Sequence, residues 1–304
     1  MAQVEQSDSV GPGESDHEPT LAGWRPALRA GGWLTVVIVV LLAVCFARYL
    51  GWMWHTWFKS AYYAHGSLIP VVAGYLVYAR RGEFAQAPGT RYLWGVPFVV
   101  GGLLVHATAT YLDVNFPQGF AMISVVFGLV VLLRGWDAAK VVAFPIGFLA
   151  FMVPLGRVLV TKFSLPLQLG AAHIAAQVPA FLGVPVQVYG TTIGLPDYTF
   201  EVAQACSGLK SSIAMSALAA LFAYMVAGPM WKRVLVFVAG IPVALIANAL
   251  RITLTLMLAR SLGKEAAEGF FHGFSGILVF IFGLLGLFLV AKGLGCDKMR
   301  EDTF

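Results

Sequence analysis

The chain has 304 residues, 59% of them hydrophobic and only 12% charged, with a formal net charge of +5. A soluble globular chain carries about 25% charged residues, so this one lacks the polar surface to cover itself in water. A soluble enzyme is excluded, and the modest excess of Lys and Arg is read first as a topology signal in a lipid bilayer.

Residues 1–32 begin polar and rich in Ser, Glu, Asp, Gly and Pro, the composition of a disordered tail. It is too long and too acidic to open a signal peptide. Apolar runs near the roughly 20 residues that a spanning helix needs follow, at 33–52, 66–80, 92–111, 117–134, 138–155, 206–228, 231–258 and 272–292. The expected fold is an all-α integral membrane protein of about eight transmembrane helices. Lys and Arg gather in alternate connections: Arg25 and Arg29; Arg80, Arg81 and Arg91; Arg134 and Lys140; Lys232 and Arg233; Lys292, Lys298 and Arg300. The positive-inside rule then places both termini in the cytoplasm, with 296–304 a short cytoplasmic tail.

The longest outer connection, 156–205, differs from the rest. "KFSLPLQLGAAHIAAQVPAFLG" has helical apolar spacing interrupted by two prolines, which predicts an interfacial helix or a pair of half-helices. "VPVQVYGTTIGLPDYTFEV" alternates about Gly190 and Pro196, as in a short β-hairpin. The chain contains no fixed-period repeat, no Gly-rich phosphate loop, no metal-ligand spacing and no dense basic patch. No cofactor, metal or nucleic-acid partner is expected. Cys45, Cys206 and Cys296 suggest no disulfide framework.

In this topology three costly residues fall on the outer side. Cys206 opens the sixth run, Arg251 lies in "NALRITLTL" toward the outer end of the seventh, and His272 starts the eighth in "FFHGFSGILVF". A membrane Cys is ordinarily small packing, and a boundary His ordinarily has one satisfied nitrogen. An Arg at mid-span costs about 2.5–3.5 kcal/mol and faces a partner or snorkels to the interface. Together the three point to a site. A thiol of pKa about 8.5 is only a few per cent thiolate at neutral pH, and a helix N-terminus favours the anion by only about 0.3–1 kcal/mol. A cationic partner such as His272 is therefore needed to activate Cys206 as a nucleophile and to carry protons. Arg251 suits an oxyanion. Asn248 and Thr255 share the Arg251 face and either orient it or bridge helices. Ser207, Gly208, Ser211, Gly273 and Gly276 permit close backbone approach.

"EVAQACSGLKSS", "IPVALIANALRI" and "FFHGFSGILVFIFG", in that order, resemble the exosortase/archaeosortase family of multi-spanning membrane transpeptidases. "AYYAHGSLIP" and "FMVPLGRVLVTKFSLPLQ" extend the resemblance over about 35–295, so that 33–295 reads as one exosortase-like transmembrane domain. It implies a Cys–Arg–His triad, here Cys206, Arg251 and His272, at the outer face of the cytoplasmic (inner) membrane. It also implies exported proteins as substrates, with a C-terminal sorting signal: a motif such as Pro-Glu-Pro, a spanning helix and a basic tail. The acyl-enzyme would pass to a cell-surface or exopolysaccharide acceptor, or to water. Gln204 and Lys210 stand where many members carry acidic and Arg residues, and His65 matches a family motif with no role that follows from its spacing. The competing readings are a proton-coupled transporter and a non-enzymatic membrane subunit of an exopolysaccharide export system. A transporter predicts acidic partners within other apolar runs, but Asp113, Asp137, Asp197, Glu201, Glu265 and Glu268 fall in connections or at their edges.

Overall fold

The computed structural model describes residues 25–304 other than 61, 89–91, 197, 202–207, 263–269, 297 and 301–304; for 25–31, 157–159, 198, 200, 201, 259–262 and 270–275 it describes the backbone alone. The chain divides into two compact units, Met1–Arg48 and Tyr49–Phe304. The first contains α1 (Arg25–Cys45). Its Trp33, Val36, Val39, Val40, Leu41 and Val44 are all exposed, so the helix is apolar all round, as a lipid-facing helix is.

The second unit starts within α2 (Ala47–Lys59), whose Tyr49, Met53 and Trp57 form a buried stripe at i, i+4 and i+8. The Trp57 indole donates to the Met152 carbonyl (3.0 Å) and the Tyr63 hydroxyl to that of Leu155 (2.9 Å). A 3-10 turn at Ala64–Ser67 leads into α3 (Ile69–Ala79), and α4 (Arg81–Gln86) follows. The hairpin of α5 (Gly95–Tyr111) and α6 (Phe116–Phe148) packs backbone on backbone, because Gly95 faces the Gly128 carbonyl and no Cβ intervenes. A second 3-10 turn, Leu149–Met152, ends α6.

Beyond it lie α7 (Arg157–Phe181) and three antiparallel strands, β1 (Gln187–Tyr189), β2 (Thr192–Leu195) and β3 (Tyr198–Glu201), in the order β1-β2-β3. The predicted hairpin is thus a three-stranded meander. The predicted break at the prolines is absent, since Pro166 and Pro179 both lie inside one helix. Packing explains why: Ala171, Ala172, Ala175 and Ala176 form one core with Ile193, Ile252 and Leu256, and that burial outweighs the bond each proline removes.

The last three helices, α8 (Leu209–Met225), α9 (Met230–Leu262) and α10 (Phe270–Gly293), form a bundle. A Cβ on Gly240 would overlap Ala219, and one on Gly283 would overlap Met215, so these seams are close. At their far end the chain turns back. Val226 pairs with Met299 in an antiparallel bridge, and Cys296 is buried with Ala223, Val236 and Ala291.

The protein is a mostly helical, multi-pass membrane protein, but the described helices do not give eight spans. Three are long and apolar enough to cross a membrane, in Phe116–Met152, Met230–Leu258 and Gly276–Gly293; a fourth is added if Gly32–Cys45 and Ala47–Lys59 together make one. Two physical reasons account for the difference. The runs 117–134 and 138–155 are two helical stretches on either side of a sharp break at Gly135, which has φ 86° and ψ 176°, and together they make the one candidate Phe116–Met152. Moreover three runs are shorter helices, Ala64–Ala79, α5 and α8; α5 and α8 have 17 residues each, about 26 Å at 1.5 Å per residue, against about 30 Å of hydrocarbon.

Candidate functional site at one end of the helix bundle

Asn248 is 1% exposed, and its side chain lies over Gly208, where a Cβ would stand 2.9 Å from Nδ2. Gly208 caps α8 with φ +79°, a left-handed conformation that only glycine adopts at little cost. The Ser211 hydroxyl donates to the Gly208 carbonyl (3.0 Å), holding the first turn of the helix. The start of α8 is therefore locked onto the third quarter of α9.

Arg251 lies one turn beyond Asn248. On that stretch Asn248, Ile252 and Leu256 are buried at i, i+4 and i+8, while Arg251 is half-buried on the flank. Thr253 donates to the carbonyls of Ala249 (3.0 Å) and Ala175 (3.3 Å), tying α9 to α7. The Thr255 hydroxyl donates to the Arg251 carbonyl (2.9 Å). Its proton is thus committed to the helix backbone, and of the two expected neighbours only Asn248 has its side chain on the α8 start.

The Gly283–Met215 and Gly286–Val243 contacts set α10 parallel to α8 and antiparallel to α9. His272, in the first turn of α10, therefore stands at the Gly208 end, roughly two turns (~9 Å) beyond the level of Arg251. Cys206 and Ser207 lie outside the described residues, as does the His272 side chain. Two residues before Gly208, Cys206 directly precedes the turn that Asn248 covers.

His65 and Lys210 add to this end. The Lys210 charge acts on His65, whose Nε2 is buried without a hydrogen-bond partner among the described residues. Burial first, and then the Lys210 ammonium, hold the imidazole below its ordinary pKa of 6.5, so it is neutral at neutral pH. Spacing gave His65 no role, since it is 145 positions from Lys210 in sequence. The one available signal was that each sat in a stretch carrying the resemblance. Lys210, in the first turn of α8, opposes the helix dipole. With Arg251 and the N-terminal amides it is one of the positive groups at this end among the described residues.

No curated protein and no solved structure matches the chain. The family model described as Transmembrane exosortase (Exosortase_EpsH) matches residues 54–289, which take in α3 to α9, every residue named at this end of the bundle and most of α10. The chain belongs to the transmembrane exosortase family.

Proposed function

We propose that the chain is a membrane-embedded cysteine peptidase and transpeptidase that removes C-terminal sorting signals of the PEP-CTERM type from exported proteins. The observation that carries this reading is Asn248, one turn before Arg251, packed over Gly208, two residues from Cys206 in sequence. Lys210, Arg251 and the α8 amides each favour an anion before that helix, and Cys206, two residues ahead of Gly208 in sequence, can become one.

In the proposed reaction the Cys206 thiolate attacks the scissile carbonyl and a C–S bond forms. Arg251 stabilises the oxyanion, and His272 delivers a proton to the leaving amine as the C–N bond breaks. The thioester then passes to an amine or hydroxyl of a surface acceptor, or to water, and the thiol is regenerated. Asn248 fixes the turn that presents Cys206. The site lies on the outer face of the cytoplasmic membrane, and the lysines and arginines of the opposite end lie in the cytoplasm. Substrates are exported proteins bearing the signal, and the acceptor is a surface or exopolysaccharide component.

The test uses cells making a tagged protein with a Pro-Glu-Pro signal, helix and basic tail, scored by gel mobility. Cys206→Ala, Arg251→Ala and His272→Ala are each expected to reach the membrane at normal levels and leave the substrate uncleaved. For Cys206→Ala and Arg251→Ala the loss should be 100-fold or more, on the order of one removed oxyanion contact or greater. Normal processing by Cys206→Ala would make Cys206 a packing residue and end the enzyme reading.

A further inference from the structure

At the bundle end opposite Gly208, the part of α6 beyond Gly135 and the helices α8 and α9 border an apolar groove of about 370 Å³. Ala220 and Ala223 of α8 form its floor, and Phe144 and Phe148 of α6 and Val234 of α9 its walls. The edge contact of Phe151 with Phe237, centroids 6.4 Å apart, narrows it toward the middle of the helices.

Its mouth is cationic. Arg233 lines the groove and donates Nε to the Ala223 carbonyl (2.8 Å) and Nη2 to that of Tyr224 (3.3 Å). Both acceptors are neutral, so the guanidinium is held in place with its charge intact. The Tyr224 ring, stacked on Phe144 at 3.8 Å, gathers two further arginines: Arg300, 5.8 Å from the ring centroid, and Arg80, which donates to the Tyr224 hydroxyl (3.1 Å). The Val226–Met299 bridge holds Arg300 in place, and its charge acts against that of Arg233. Arg80 is also ion-paired with Glu83 at 2.6 Å. Three guanidiniums beside an apolar slot call for an anion joined to an apolar chain.

We infer that this groove binds one acyl chain of an anionic phospholipid, with the phosphate among Arg80, Arg233 and Arg300. A substrate helix is the poorer occupant, because the basic tail of a sorting signal would bring cations against cations. A basic pocket between spans on the cytoplasmic side is a recognised kind of site for anionic headgroups, and lipid binding here does not depend on the cysteine chemistry at the other end.

The experiment takes the purified full chain in non-ionic detergent, with Glu301 and Asp302 present. Bound lipid is counted by native mass spectrometry after adding phosphatidylglycerol or phosphatidylcholine with identical acyl chains. Phosphatidylglycerol is expected to bind about tenfold more tightly, and inorganic phosphate at equal concentration should not displace it. Arg233→Gln with Arg300→Gln should remove the preference, whereas Arg233→Lys should keep most of it. Gly147 lines the groove with nothing within 4 Å of its Cβ position. Gly147→Phe should therefore fill the slot without disturbing the helices and reduce occupancy by either lipid. Equal binding of the two lipids, or undiminished phosphatidylglycerol binding by a folded Gly147→Phe protein, would overturn the assignment.

Discussion

At position 208 the packing admits hydrogen alone. The backbone there is left-handed and the Asn248 amide occupies the space of a side chain. Gly208→Ala should cost about 1–2 kcal/mol from the conformation, and more from the displaced amide, lowering the thermal midpoint in detergent and slowing substrate processing. Adding Asn248→Ala restores the space but not the conformation, so the double variant should regain only part of the loss. His65 leads to a prediction in pH. Its pKa is depressed in the fold, so it contributes stability above its ordinary value of 6.5, and that contribution is lost as pH falls below 6.5 toward the folded value. The thermal midpoint of the native chain should drop between pH 7.5 and 5, and His65→Gln should flatten that part of the drop; an unchanged profile would show that His65 is not the group responsible. Of these residues, Asn248 and Gly208 were legible in sequence as neighbours of the site, because helical spacing and small size are local properties. The influence of Lys210 on His65 was not, since it depends on the fold bringing a turn near the start of the second unit within electrostatic reach of a helix that begins far along the chain.

At the scale of elements, hydropathy located the helices but not their ends. The two apolar runs on either side of Gly135 were read as separate because Arg134, Asp137 and Lys140 interrupt them, and the helix does break between them at Gly135. Its φ of 86° with ψ of 176° lies in a region open essentially to glycine. Gly135→Ala should therefore destabilise the fold by about 1–3 kcal/mol, read as a lower thermal midpoint, while leaving the far end of the bundle assembled. Arg134 anchors the bend by donating to the Phe84 carbonyl (3.2 Å) and lying over the Phe84 ring. In α7, where an interfacial helix or a pair of half-helices was expected, one helix runs through Pro166 and Pro179. Propensity is a local quantity, and the alanine face of α7 gains more by packing on α9 and β2 than one lost hydrogen bond costs.

Across the whole molecule, the polar chemistry divides between the two ends of the α8–α9–α10 bundle. One end carries Gly208, Lys210, Asn248, Arg251 and the start of α10; the other carries Tyr224, Arg233 and Arg300. This separation was legible from the sequence, because the hydrophobic lengths of α8, α9 and α10 oblige polar residues to fall at their ends. What charge counting could not reveal is that the basic residues of the second end converge on one tyrosine beside an apolar slot. That convergence comes from the return of the chain terminus onto the α8–α9 turn. The same return has a practical result for chemical labelling. Cys296 lies buried beneath it at 3% exposure, whereas Cys45, the last residue of α1, is exposed. A water-soluble thiol probe applied to a folded Cys45→Ala chain is therefore expected to report the reactivity of Cys206 with Cys296 left in place.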